Sequence, residues 1–139
     1  MAGSKLQYAI QALVEINRQD SSGPVGTREI AKSAGLSKRY LEQVFGLLRR
    51  SGVVRSSRGK FGGYELESDP ERISVERIWQ AVGEEISIPV NKPERTETDN
   101  RAAFEIQSGL YEAAVRYLRG LSLRDVIDLE NSDNEMFYI

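Results

Sequence analysis

Apolar residues recur at three- and four-residue steps through 5–19, where Leu6, Ala9, Ile10, Leu13, Val14 and Ile16 share one side of a predicted helix. Asp20-Ser-Ser-Gly-Pro24 stops that pattern. Thr27 is suited to cap a second, short helix over 28–34, with Ile30 and Ala31 facing inward. Gly35 permits a tight turn, Leu36 can plug the core, and Ser37 is suited to cap a third helix over 38–50. That helix would point Leu41, Val44, Phe45 and Leu48 inward and Lys38, Arg39, Glu42, Gln43, Arg49 and Arg50 outward, until Ser51-Gly52 ends it.

The period then changes. Residues 53–58 form a short β-branched and basic stretch, 59–63 are glycine-rich, and 64–66 return, which predicts a hairpin. Ser68-Asp-Pro70 breaks the chain, and Ser74 is placed to cap a helix holding Val75, Ile78, Trp79 and Val82. Residues 84–98, with Pro89 and Pro93, read as a linker. A long amphipathic helix follows over about 99–119, with Ala103, Ile106, Leu110, Ala113, Ala114, Tyr117 and Leu118 on one side. Gly120 ends it. Ser122 and Asp125 suggest a capping box for a last short helix over 123–129. Residues 131–135 are polar and expected to be loose, ahead of an apolar ending, Met136-Phe137-Tyr138-Ile139. The pattern predicts a mainly α fold with a small β-hairpin.

A chain of 139 residues with 40% hydrophobic content suffices for one core without covalent staples. It contains no cysteine and no histidine, which removes disulfides, thiol catalysis, an imidazole base and the usual zinc, copper and haem ligands. No carboxylate pair, nucleophile or phosphate loop stands out, so no catalytic residue, metal or cofactor is assigned. No apolar run approaches the roughly 20 residues of a membrane span, and no signal-peptide segment opens the chain. A cytoplasmic, nucleoid-associated protein without a membrane partner is expected.

The net charge of −2 conceals an asymmetry. Residues 1–64 carry eleven Lys and Arg against four acids, a net +7, and residues 65–139 carry eight against seventeen, a net −9. A basic first half suggests a polyanionic partner. Two helices, a glycine turn, a third helix and a basic hairpin form the winged helix-turn-helix arrangement, whose third helix fits the major groove of duplex DNA. Its amino-terminal turn presents no bulky apolar group outward. Arg39 has the geometry to pair with guanine, Glu42 to accept from cytosine and Gln43 to bind adenine. Arg55, Arg58 and Lys60 of the wing would lie along the backbone or in the minor groove, where the glycines allow close approach.

The same residues resemble a family. Lys5-x-x-Tyr8-Ala9, Glu29-Ile-Ala31, Tyr40-Leu-Glu-Gln43, Leu48-x-x-Ser51-Gly52-Val-Val and Arg58-Gly59-x-x-Gly62-Gly63-Tyr64-x-Leu66 look like the Rrf2 family of bacterial winged-helix regulators, over about residues 4–83. The resemblance implies a homodimer on a pseudo-palindromic operator of double-stranded DNA, with the long helix crossing to the partner subunit. By that analogy Arg39, Glu42 and Gln43 touch bases and Arg58 enters the minor groove. The candidate DNA-binding set is Ser4, Lys5, Thr27, Arg28, Ser37, Lys38, Arg39, Tyr40, Glu42, Gln43, Arg49, Arg58 and Lys60. The implied organisation is a DNA-binding domain over 1–83, a linker over 84–98, a dimerisation helix and short C-terminal helix over 99–130, and a tail over 131–139.

One departure from the family matters. Many members hold an iron–sulfur cluster on three cysteines between the Trp79-bearing helix and the long helix, and here 86–102 contains none. Cluster-based sensing is not expected. A second departure, Ala81-Val-Gly-Glu84 where the family often has Glu-Gly, is expected to be silent. The apolar ending on a cluster-free chain resembles the branch of the family that represses cysteine-metabolism genes, which implies regulation through cysteine synthase (O-acetylserine sulfhydrylase). Met136, Phe137, Tyr138 and Ile139 would then be captured in a partner pocket, as carboxylate-bearing peptide ends are. The same residues could instead pack on their own dimer. Two other readings remain open: a cluster-free regulator of a different regulon that binds a small ligand directly, and a winged-helix protein-interaction module that binds no DNA.

Overall fold

The computed structural model describes residues 4–19, 23–58, 62–83 and 100–136, with the side chains of Ser4 and 133–136 excepted. The linker predicted over 84–98, the wing tip with Lys60, and Phe137, Tyr138 and Ile139 lie outside the described residues. Among the described residues, six helices and one hairpin follow in order: α1 Ser4–Arg18, α2 Thr27–Ala34, α3 Lys38–Arg50, β1 Val54–Ser57, β2 Gly63–Leu66, a 3-10 turn Pro70–Arg72, α4 Val75–Val82, α5 Arg101–Arg119 and α6 Leu123–Met136.

The sequence signals for these elements are met locally. Ser37 accepts from the Tyr40 amide at 3.4 Å and Ser74 from the Arg77 amide at 3.1 Å, so both serines start their helices as expected. Asn100 does the same for α5 through Ala103 at 3.0 Å. The Ser122–Asp125 box closes in both directions, at 2.9 and 3.1 Å. Gly35 takes φ +69 at the end of α2, where a left-handed residue is needed.

Two expectations are corrected. Thr27 does not cap α2; the helix starts one residue sooner, extended Gly26 takes the cap position without a side-chain bond, and its carbonyl accepts from Ile30 at 3.1 Å. The last helix does not stop at 129, and 131–135 is not loose: α6 runs to Met136. No glycine or proline interrupts 123–136, so nothing in the backbone chemistry stops the helix.

One core joins the two ends of the chain. Leu13, Ile30, Leu41, Phe45, Leu48, Ile73 and Ile78 are wholly buried, and Leu123 and Ile127 of α6 enter the same cluster. Backbone bonds from Val75 to the Leu121 carbonyl (2.9 Å) and from Leu123 to the Ile73 carbonyl (2.8 Å) hold α6 there. Glu15 is the buried charged side chain of the described residues, and Arg18 Nη1 donates to it at 2.7 Å. α5 differs: none of its residues is buried, and Ile106, Leu110 and Tyr117 are 73%, 61% and 69% exposed along one stripe. It touches the rest through Trp79 on Tyr111, with ring centroids 5.7 Å apart, and through Arg119, which donates to both oxygens of Glu76 at 3.0 and 3.2 Å. That hydrogen bond, with the charge behind it, holds the Glu76 carboxyl below its ordinary range. Among the described residues no helix is long and apolar enough to cross a membrane.

Candidate nucleic-acid interface

α3 presents the face its periodicity predicts. Leu41, Val44, Phe45 and Leu48 are buried, while Lys38, Arg39, Glu42, Gln43, Arg49 and Arg50 are exposed. At 100° per residue, these six fall within one arc of roughly 140°. The helix therefore brings Lys38, Arg39, Glu42, Gln43 and Arg49 of the candidate set onto one surface. Ser37 sits at its free amino end, which carries the positive pole of the helix dipole. Tyr40 is half-buried and packs edge-on against Tyr8, with centroids 4.9 Å apart. Thr27 and Arg28 open α2, and Lys5 is exposed in the first turn of α1 beside Ser4.

The charges on this surface are unevenly committed. Lys38 and Glu42 stand 3.7 Å apart, both about half exposed, a contact too long and too wet to hold either side chain firmly. Arg39, Arg49 and Arg58 form no ion pair among the described residues. Arg55 does: its Nε donates to Glu65 across the hairpin at 2.8 Å, and this bond raises its pKa. The register Arg55↔Glu65 gives Arg55 a carboxylate partner within the wing, while its side chain stays 55% exposed. Arg58, one residue beyond β1, is exposed.

The base of the wing is fixed by interactions that the sequence pattern does not signal. Tyr64 stacks on Phe45 of α3, centroids 4.3 Å apart and planes 8° from parallel. Its backbone exchanges two hydrogen bonds with Val25, at 2.8 and 2.9 Å, so the loop after α1 adds a one-residue third strand. Gly63 lies so near that loop that an added Cβ would run into the backbone of Val25 and Gly26. The joint between α3 and the wing is a Schellman closure: Gly52 donates to Arg49 (3.0 Å), Val53 to Leu48 (2.9 Å), and Gly52 has φ +74. Arg77 Nη2 of α4 donates to the Ser51 and Gly52 carbonyls at 3.1 and 3.2 Å. An exposed basic residue on a short helix gives no sequence sign of such a partner.

A family model described as "Iron-dependent Transcriptional regulator", Rrf2, matches residues 2–129. The regulator CymR of Bacillus subtilis is 30% identical over 138 residues, covering 98% of this chain and 97% of its own. The regulator IscR of Cronobacter sakazakii is 41% identical over 83 residues, covering 60% of this chain and 51% of its own. The solved structure of B. subtilis CymR, described as the global cysteine regulator, superposes with a TM-score of 0.72 at 31% identity, covering 91% of this chain and 95% of that one. The iron in the family's description does not suit these residues. The sequence has no cysteine or histidine, and among the described residues no three acidic side chains converge as metal ligands.

Proposed function

The chain belongs to the Rrf2 family of transcriptional regulators, and we propose that it acts as a dimeric repressor that reads a pseudo-palindromic operator with α3 and the wing. It is a regulator and not an enzyme. The observation that carries the DNA-reading part is the exposed face of α3 with Arg39 and Arg49 unpaired among the described residues. Residues 1–83 form the DNA-binding domain in this reading, and Ser4, Lys5, Thr27 and Arg28 contact phosphates flanking the groove. Arg39, Glu42 and Gln43 contact bases, with Lys38, Arg49, Arg58 and Lys60 on the backbone or minor groove. The apolar stripe Ile106, Leu110 and Tyr117 is the surface that a second copy of α5 covers, which makes α5 the dimerisation helix within residues 99–130.

Binding to an operator duplex is expected to weaken steeply with salt, with a log–log slope near −0.9 for each phosphate neutralised. Arg39→Ala is expected to cost about 1–3 kcal/mol, and Glu42→Ala to relax the preference at one base pair by a similar amount. Fluorescence anisotropy across a salt series, on the wild type and both variants, measures all three. A flat salt response, or an unchanged site preference for both variants, refutes the assignment.

The regulatory partner in this reading is cysteine synthase, docked by Met136, the last residue of the acidic α6, and by Phe137, Tyr138 and Ile139 after it in the sequence, and the regulon is cysteine metabolism. The apolar character of these four residues and the likeness to a cysteine regulator support it. Deleting 137–139 is expected to abolish association with cysteine synthase in calorimetry while leaving operator affinity intact. If the truncated protein binds the enzyme as before, direct small-ligand control gains ground. The cleft of about 390 Å³ between the wing base and α6, lined by Arg55, Glu65, Asp69 and Arg124, is then the place to look.

A further inference from the structure

We propose that Arg77 is a positioning residue for DNA reading: it locks the joint between α3 and the wing and so fixes the angle at which the two enter adjacent grooves. The inference rests on α3 and the wing being the reading surface. The joint is short. α3 ends at Arg50 and β1 begins at Val54, so Ser51, Gly52 and Val53 are the whole covalent link between the helix and the wing. The Schellman bonds satisfy the Leu48 and Arg49 carbonyls and leave those of Ser51 and Gly52 pointing away from the helix. One Arg77 nitrogen, Nη2, takes both, at 3.1 and 3.2 Å. A cation there also faces the negative pole of α3. The approach is close: a Cβ on Gly52, which already has φ +74, would stand 3.1 Å from Nη2.

Arg77 itself is held from behind. Its amide donates to Ser74 Oγ, and its neighbours Val75 and Ile78 are buried, which anchors this part of α4 in the core. Its own side chain is exposed and contributes nothing to core packing. Removing it should therefore free the joint without unfolding the domain. Stacking of Tyr64 on Phe45 and the Val25 bridge hold the wing's far side. Arg77 controls the near side, where β1 leaves α3.

The test uses the full chain and a duplex that the wild type selects from a random-sequence library. Arg77→Ala is expected to weaken binding about tenfold, because a joint no longer held in place must be ordered when the wing enters its groove. Hydroxyl-radical protection should fade at the outer, wing-contacted positions and persist in the central major-groove positions, while the melting temperature moves by no more than about 2 °C. Arg77→Lys, whose point charge spans the two carbonyls less well, should fall between. Wild-type affinity and footprint in Arg77→Ala overturn the inference. So does a uniform loss of protection that tracks a falling melting temperature, which marks a purely structural role. If Arg39→Ala also binds as the wild type does, or if no duplex is selected, the reading surface itself is wrong and the inference falls with it.

Discussion

Replacing Phe45 with alanine is expected to lower stability by about 3–5 kcal/mol, the range for removing a wholly buried aromatic side chain. Phe45 has no exposed surface and stacks on Tyr64 at 4.3 Å. A stacked pair of this kind adds about 0.5–1.5 kcal/mol beyond the buried area. For a domain of this length the melting temperature should fall by about 10–17 °C. DNA binding should fall at temperatures where the variant is still folded, because the ring that couples the reading helix to the wing is gone. Scanning calorimetry together with anisotropy at 15 °C separates the two effects. A destabilisation of under about 1.5 kcal/mol would mean that the cavity refills, and that Tyr64 is seated by its backbone alone.

The Phe45–Tyr64 pair also divides what a sequence makes legible from what it does not. The spacing of Phe45 to Leu41 and Leu48 predicts a core position, and the ring is buried there. Helices α1 to α4 are readable because each carries one apolar stripe, and several are bounded by a residue with a specific backbone role, such as Ser37, Gly35 or Ser74. The stripe on α5 is equally plain, yet its meaning is not, because among the described residues no other element buries it. Partners distant along the chain leave no such trace. Val25 sits alone among Gly, Pro and Ser, and a single bridging residue has no period to detect. Arg55 reads as free because the register of a hairpin with a five-residue glycine-rich tip is not set by pattern alone. Arg77 lies 25 and 26 residues from the carbonyls it binds. The end of α6 is hidden for a different reason. Asparagine, serine and aspartate are weak helix formers, but weak propensity without a breaker does not end a helix already anchored by Leu123 and Ile127.

Gly63→Ala is the second large effect and the one most closely tied to function. The added Cβ would overlap the Val25 carbonyl group and stand 2.8 Å from the Gly26 nitrogen. These are backbone atoms, so no side chain can rotate away. The two Val25–Tyr64 hydrogen bonds next door pull the same strands together, and the clash can be relieved only by breaking them. A cost of about 2–4 kcal/mol follows, with a fall of about 7–14 °C in melting temperature. Gly46→Ala provides the contrast. That glycine lies within α3, and an added Cβ meets nothing within 4 Å. The same substitution there should raise stability by about 0.5–1 kcal/mol, because alanine loses less backbone entropy in a helix. One mutation at two glycines thus has opposite signs, decided by the approach of the loop after α1. If both variants melt within about 1 °C of the wild type, the wing is not held by that loop, and its orientation in the groove would have to be set by α3 and Arg77 alone.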